Sequence, residues 1–368
     1  MNNKNRGLQG FLSIILSLSL LTVTVFFSGD LVNFMTNFTL GAFTVISGVN
    51  EFKRENLKST SVTENEISGY GNSYVINNDS ADTKTPEDIE KLMDEAVSAY
   101  ASFKKTGKIE ETQLLATSST TSYGNVIVNN KTETKKVNIK KELSKMASFG
   151  KITKDEPYIL VYHTHTTEGY ELLDKGWYSD EYVSRTKELD KTVVRVGDEI
   201  VERLEMAGFK VIHDKTIHDA SYDGAYSRSL KTIEKILKEN PSIVITLDIH
   251  RDAIEYSSGT KCKPTATING KKAAQVMIIT GAEEGEIKDY PNWNKNLTFA
   301  IALQNKVEEN YKGLMRPIFF CQRRYNMHVT PCSLLLEMGT DANTLEEAVY
   351  SGRLIGDSLA ELLEENMK

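Results

Sequence analysis

The residues able to do chemistry are gathered in the C-terminal part of this chain: all six histidines, all three cysteines and both tryptophans lie beyond residue 160. Three runs stand out. The first is Tyr158-Ile-Leu-Val-Tyr162 followed by His163-Thr-His165-Thr-Thr-Glu168, which puts two imidazoles and a carboxylate within six residues. Zinc takes such nitrogen and oxygen donors at about 2.0 to 2.2 Å, so the H-x-H-x-x-E cluster reads as a metal site, whereas a lone histidine there would be a hydrogen-bonded loop residue. The second run ends Thr246-Leu-Asp248-Ile-His250-Arg251-Asp252. His250 can complete the metal site, with Asp248 or Asp252 holding its other ring nitrogen. The plainer reading makes Asp248, Arg251 and Asp252 a structural ion-pair knot. The third run, Leu334-Leu-Leu-Glu337-Met-Gly339, closes three leucines with a carboxylate. Burial raises the pKa of such a group, which suits a general acid or base; as a folding element it would need a partner such as Arg316, Arg323 or Arg324.

Arg323-Arg324-Tyr325-Asn326-Met327-His328 precedes the glutamate run. Arg251, Arg324, Asn326 and His328 are read as substrate contacts, because guanidinium forks match carboxylates; neutralising nearby acids is the alternative. His213-Asp214 and His218-Asp219 read as solvated turn residues. Cys262, Cys321 and Cys332 lie in no nucleophile context and read as small core residues, and an odd count of three argues against a disulfide framework. The absence of H-E-x-x-H disfavours a thermolysin-type protease.

These loops need strands to hold them. Apolar runs predict strands over Tyr158–Tyr162, Lys210–His213, Ile243–Asp248, Gln275–Thr280, Pro317–Cys321 and Ser333–Glu337. Helical periodicity predicts helices over Thr192–Met206, Tyr226–Lys238, Trp293–Asn310 and Thr344–Glu364, the last opened by a capping box of Asn343 and Glu346. Alternation of the two kinds points to an α/β layer fold with a mostly parallel sheet, whose ligands sit at the carboxyl ends of strands. A barrel amidohydrolase also opens its site with H-x-H, but needs about 250 residues; Ile152 to Lys368 supplies 217.

The whole chain has 368 residues, a net charge of −7 and 40% hydrophobic residues, which argues against nucleic acid as a partner. The average hides a sorted chain. The first fifty residues carry only Lys4, Arg6 and Asp30 as charges, and the apolar run between Arg6 and Asp30 is long enough for a membrane helix, which needs about 20 residues. Lys4 and Arg6 before it place the N-terminus in the cytoplasm. A cleaved signal peptide is the rival, but no small-x-small site follows the run. Residues 1–30 are therefore read as a cytoplasmic stub and anchor. Residues 31–151 read as an extracytoplasmic polar linker, with one helix capped by Thr85, opened by Pro86 and faced by Ile89, Leu92, Met93, Ala96, Tyr100 and Phe103. The catalytic domain is assigned to 152–368.

The blocks YHTHTTEGY, HDKTIHDASYDGAYSRSL, DIHRDA, PNWNKNL, RRYNMH and LLLEMGTDANTLEEAVYSGRLIGDSLA resemble the stage II sporulation protein P family, membrane-anchored peptidoglycan hydrolases of endospore formers. The resemblance implies a three-layer α/β/α domain similar to zinc-dependent N-acetylmuramoyl-L-alanine amidases. It implies His163 or His165 as the first zinc ligand, His250 as the second and Glu337 as the catalytic glutamate. The ligand carboxylate is then Glu168, with Glu171, Glu181 or Glu188 as substitutes. It further implies endopeptidase activity on stem peptides and action with stage II sporulation proteins D and M during engulfment. A scaffold that binds cell wall without turnover is the reading from another class.

Overall fold

A computed structural model describes residues 83–145, 147 and 149–367. The apolar N-terminal run lies outside the described residues, and among the described residues no helix is long and apolar enough to cross a membrane.

Two sheets organise the fold. The larger has eight strands in the order β2-β3-β11-β10-β12-β7-β4-β6. Its centre is β4 (Pro157–Tyr162), β7 (Ile245–Asp252) and β12 (Cys332–Thr340), which with β6 (Lys210–His213) run parallel. β10 (Val276–Gly281) lies antiparallel to β12, and β11 (Ile318–Cys321) and β3 (Val126–Asn130) continue in the direction of β10. β2 (Thr121–Tyr123) closes the edge antiparallel to β3. The sheet is thus mixed rather than uniformly parallel.

Alternation along the central strands sorts side chains to opposite faces. Ile159, Val161, Leu247 and Leu336 join the main core with three helices, α3 (Val193–Met206), α5 (Trp293–Asn310) and α6 (Leu345–Glu365). Leu160 and Tyr162 face the other way, onto Ile233 of α4 (Ala225–Glu239). The same far face of β10 and β12 is covered by loop residues Tyr290 and Met327. Helices on both faces make the three layers expected of an α/β domain. The smaller sheet runs β5 (Trp177–Tyr178), β1 (Gly107–Thr112), β8 (Lys261–Ile268), β9 (Lys271–Ala274). Its β8–β9 hairpin turns on Asn269 and Gly270, with φ of 50° and 80°, as a two-residue Asn-Gly turn requires.

Several expectations are corrected. The polar linker does not extend to residue 151: α1 (Glu87–Ser102) buries Ile89, Leu92, Ala96 and Tyr100 in the main core, β1 pairs with β8, and β3 pairs with β11. A short α2 (Ile139–Leu143) adds Ile139 to that core. Pro86, not Thr85, occupies the cap of α1; the Thr85 hydroxyl instead donates to Glu346 and accepts from Lys271. The capping box of α6 falls one residue later than expected, on Thr344 and Glu347. Asn343 is diverted into the preceding turn, where its Oδ1 accepts from the Thr340 amide at 2.9 Å. Strands β7 and β12 also run past the expected Asp248 and Glu337, so His250 and Glu337 sit inside strands.

Candidate active site

In the parallel ladder of β7 and β12, Glu337 pairs directly with His250. On the other side of β7, Tyr162 ends β4 opposite Asp248, and the chain then turns through His163 to Glu168. Three neighbouring strands therefore deliver one cluster: His165 and Glu168 from the turn, His250 from β7 and Glu337 from β12. His165, Glu168 and His250 are buried, and Glu337 is partly buried with its Oε2 out of reach of solvent.

Glu168 is the hub. Its Oε2 lies 3.3 Å from His250 Nδ1, and its Oε1 accepts from Arg185 Nη2 at 3.0 Å. The backbone amide of Arg251 donates to the same carboxylate at 3.2 Å. Burial alone would raise its pKa, but His250 and Arg251 pull it down to about 2. Burial likewise works against charge on His250, yet Asp248 and Glu168 hold its pKa well above the usual histidine range. Asp248 Oδ1 stands 2.9 Å from His250 Nε2, though off the ring N–H direction, so the contact is a charge contact rather than a directed hydrogen bond. Thr164 fixes Asp248 by donating its amide and hydroxyl at 2.8 and 2.7 Å.

His165 is positioned by stacking. Tyr222 lies parallel to it at 4.8 Å, His250 stands edge-on at 5.3 Å, and His165 Nδ1 has no hydrogen-bond partner. Burial and the neighbouring His250 lower its pKa. Glu337 Oε2 is also buried without a partner. Burial and Asp252 push its pKa up to about 8, against the opposing pull of His250.

Several residues fall elsewhere. His163 is turned under α3: its Nδ1 donates to the Ile249 carbonyl at 3.1 Å and its Nε2 meets His213 Nε2 at 2.9 Å. His213 in turn contacts Asp198 at 3.0 Å. Neither His213 nor His218 is a solvated turn residue; His218 is buried with Nδ1 bonded to the His163 carbonyl. Among the substitute carboxylates, Glu171 is buried against Tyr100, Glu188 is exposed and paired with Lys191, and Glu181 is exposed.

The ion-pair knot does not form as drawn. Asp252 pairs with Arg316 at 2.9 Å, while Arg251 donates to the Gly169 carbonyl at 3.1 Å and so braces the turn that carries Glu168. Arg251 is thereby a buried brace rather than a substrate contact. Asn326 likewise spends its amide on Tyr226 O and Ser229 Oγ at 2.9 and 3.0 Å. His328 is half-buried with its Nδ1 unpartnered, and Arg324 lines a cavity next to the cluster. The three cysteines are buried and free.

By type, two imidazoles and a carboxylate are donors that zinc takes. Among the described residues no group of three or more His, Cys, Asp or Glu side chains is arranged to hold a metal ion. However, the 3.3 Å between Glu168 Oε2 and His250 Nδ1 matches the roughly 3.3 Å separating two ligands of a tetrahedral zinc. The His165 ring stands edge-on to His250 with centroids 5.3 Å apart, and its unpartnered Nδ1 lies 3.8 Å from Asp219 Oδ2. Sequence reasoning missed Arg185 and Tyr222, which hold Glu168 and His165: Arg185 lies in a loop with no motif of its own, and Tyr222 lies in the block HDKTIHDASYDGAYSRSL, from which no role could be read.

The fold and cluster define the class: an α/β protein with a His-Glu-His-Glu centre built on the C-terminal ends of parallel strands. The model of the stage II sporulation protein P (SpoIIP) family matches residues 58–360, and the chain belongs to that family. Stage II sporulation protein P of Bacillus subtilis (strain 168) is 30% identical over 222 residues, which is 57% of this chain and 52% of the relative. The match thus spans about half the length of that relative. Solved structures with some likeness include the N-acetylmuramoyl-L-alanine amidase AmiC2 of Nostoc punctiforme, at 12% identity and TM-score 0.32 over 57% of this chain and 94% of that one. Another is the CwlD amidase of Clostridioides difficile in complex with the GerS lipoprotein, at 15% identity and TM-score 0.33 over 56% and 99%.

Proposed function

We propose that this chain is a peptidoglycan hydrolase that cleaves the amide between N-acetylmuramic acid and L-alanine, with zinc held by His165, Glu168 and His250. One observation carries the reading. Two imidazoles and a carboxylate gather where parallel strands end, beside a second carboxylate, Glu337, whose Oε2 is buried without a hydrogen-bond partner. Leaving a buried carboxyl oxygen without a partner costs about 1–3 kcal/mol, which a purely structural role does not explain.

A bound zinc would supply Lewis acidity, lowering the pKa of a water toward about 7 and polarising the carbonyl. The chain's own residues do the rest. Glu337 is the group placed to move the proton: with no cation beside it burial holds it protonated, and once deprotonated beside a bound cation it would take a proton from the attacking water and return it to the leaving alanine amine. Asp248 holds His250, Arg185 and the Arg251 amide hold Glu168, and Tyr222 holds the His165 ring.

The proposal includes place and partners: an exported domain tethered by the apolar run before Asp30, acting with stage II sporulation proteins D and M during engulfment. Membership of the sporulation family supports this part. Mass spectrometry of sacculi digested by the zinc-loaded chain tests the bond assignment. Released stem peptides with a free N-terminal alanine amine are expected; products cut only between peptide residues or between sugars would contradict it.

A further inference from the structure

We propose that the lysine-rich face formed by residues 131–145 docks on phosphate-bearing lipid headgroups and so lays the domain against an anionic membrane surface. The choice of a membrane as occupant rests on the tethered reading above; the charge of the face does not.

This stretch departs from the rest of an acidic chain. Against an overall charge of −7, it holds Lys131, Lys135, Lys136, Lys140, Lys141 and Lys145, with only Glu133 and Glu142 as acids. Lys136, Lys140, Lys141 and Lys145 are exposed, and Lys131 and Lys135 are half-buried. Lys145 pairs with Glu142 at 2.7 Å, whereas among the described residues the other five lysines form no ion pair. Each cation near an anionic lipid surface is worth about 1 kcal/mol, or about fivefold in affinity, so five together make a strong electrostatic seat.

The backbone that carries these lysines is tied down. The Asn130 side-chain amide donates to the Lys135 carbonyl at 2.8 Å, and its Oδ1 accepts from the Thr132 amide at 3.0 Å, which closes the turn after β3. Glu284 clamps the same turn by accepting from the Glu133 and Thr134 amides at 2.8 and 2.6 Å. In α2, Ile139 is buried in the main core, and Glu142 accepts from the Thr298 hydroxyl of α5 at 2.7 Å. A backbone fixed before docking loses less freedom on binding than a loose basic tail would.

Two aromatic rings stand among the cations and favour lipid over a soluble polyanion. Lys140 Nζ lies 5.9 Å from the ring of exposed Tyr123, and Lys135 Nζ lies 5.0 Å from the ring of half-buried Trp293. A polyanion needs only the charges, whereas rings with an apolar body and a polar tip settle at headgroup level. The length of chain brings the surface within reach. From Leu31 to Asp82, 52 residues separate the apolar run from the first described residue, a span of at most about 190 Å. A domain held within that distance meets the membrane at high effective concentration.

The chain has two tryptophans, so Trp177→Phe leaves Trp293, beside Lys135, as the sole reporter. The full-length Trp177→Phe chain is reconstituted into vesicles of phosphatidylcholine alone, or of phosphatidylcholine and phosphatidylglycerol in equal parts, each with a trace of lipid bearing a nitroxide on its headgroup. Quenching of Trp293 is expected only in the anionic vesicles, and it should vanish by about 1 M salt, where the screening length is about 3 Å. The ratio of docked to undocked chain should fall about fivefold for each of Lys131, Lys136, Lys140 and Lys141 changed to Gln. Arginine at the same positions should restore it, which separates lost charge from lost fold. Equal quenching in both vesicles, none in either, or quenching that survives the four Gln changes would overturn the proposal. Lysine-dependent binding to polyphosphate without quenching by lipid would also overturn it, by giving the face to a soluble polyanion. Flotation with the neutral vesicles reads the tether separately: a chain that fails to float with them refutes the anchor, while the lysine face would still carry it up with the anionic ones.

Discussion

Glu171 provides a quantitative test of the packing that surrounds the site-bearing turn. It is 4% exposed and accepts a hydrogen bond from the Tyr100 hydroxyl at 2.8 Å, tying α1 to the loop after Glu168. Burial outweighs that bond and raises its pKa from 4.5 to about 7. The folded state therefore keeps a proton that the unfolded chain has already released between those values. This group's contribution is fully present below about pH 4.5, is lost progressively as pH rises to about 7, and is constant above. A shift of that size corresponds to about 3 kcal/mol at most. Glu171→Gln removes the titration but keeps an acceptor for Tyr100. Urea denaturation of both proteins with a chelator present should give equal stability near pH 4.5 and a variant more stable by up to about 3 kcal/mol at pH 8. Parallel decline of the two proteins across that window would refute the claim that Glu171 is charged at a cost in the folded state.

Two further substitutions probe the supports of the cluster. Gly197→Ala would place a Cβ 2.9 Å from both His163 Cε1 and His213 Nε2; where a helical Gly→Ala change ordinarily gains about 0.5–1 kcal/mol, a loss of about 1–3 is expected here, and a stabilised variant would show that the two rings are free to move. Arg185→Met removes the 3.0 and 3.1 Å contacts to Glu168 and Asp219. Competition with a chromophoric chelator should then show zinc affinity reduced about 10- to 100-fold, and an unchanged affinity would remove Arg185 from the support of the site.

How much of this was legible in the sequence differs by element. β4 and β10 are apolar runs buried on both faces, and they fall within a residue or so of expectation, as do β11 and the edge strand β6. β1 and β3 read as linker because GKIEET is short and mostly polar, VIVNN is a run of only three apolar residues, and their partners β8 and β11 lie more than a hundred residues away. β8 was hidden by Lys261 and Lys263; the latter is buried only because Glu347 and Asp174 meet it at 2.8 and 3.0 Å. His163 and His165 could not be separated by spacing. What distinguishes them is a pocket under α3, where the absence of a side chain at Gly197 admits the His163 ring. The capping box slipped by one residue because Asn343 is a good cap by type, but its side chain is consumed by the turn at Thr340.

The central claim is that Glu337 moves the proton at a centre it does not itself assemble. Measuring zinc content and peptide release from purified sacculi on the same sample of Glu337→Gln tests it most directly. The account predicts zinc content equal to that of the unsubstituted chain, with peptide release reduced by at least about 100-fold, the scale of losing a general base. Release at near the unsubstituted rate, or loss of zinc together with activity, would contradict it.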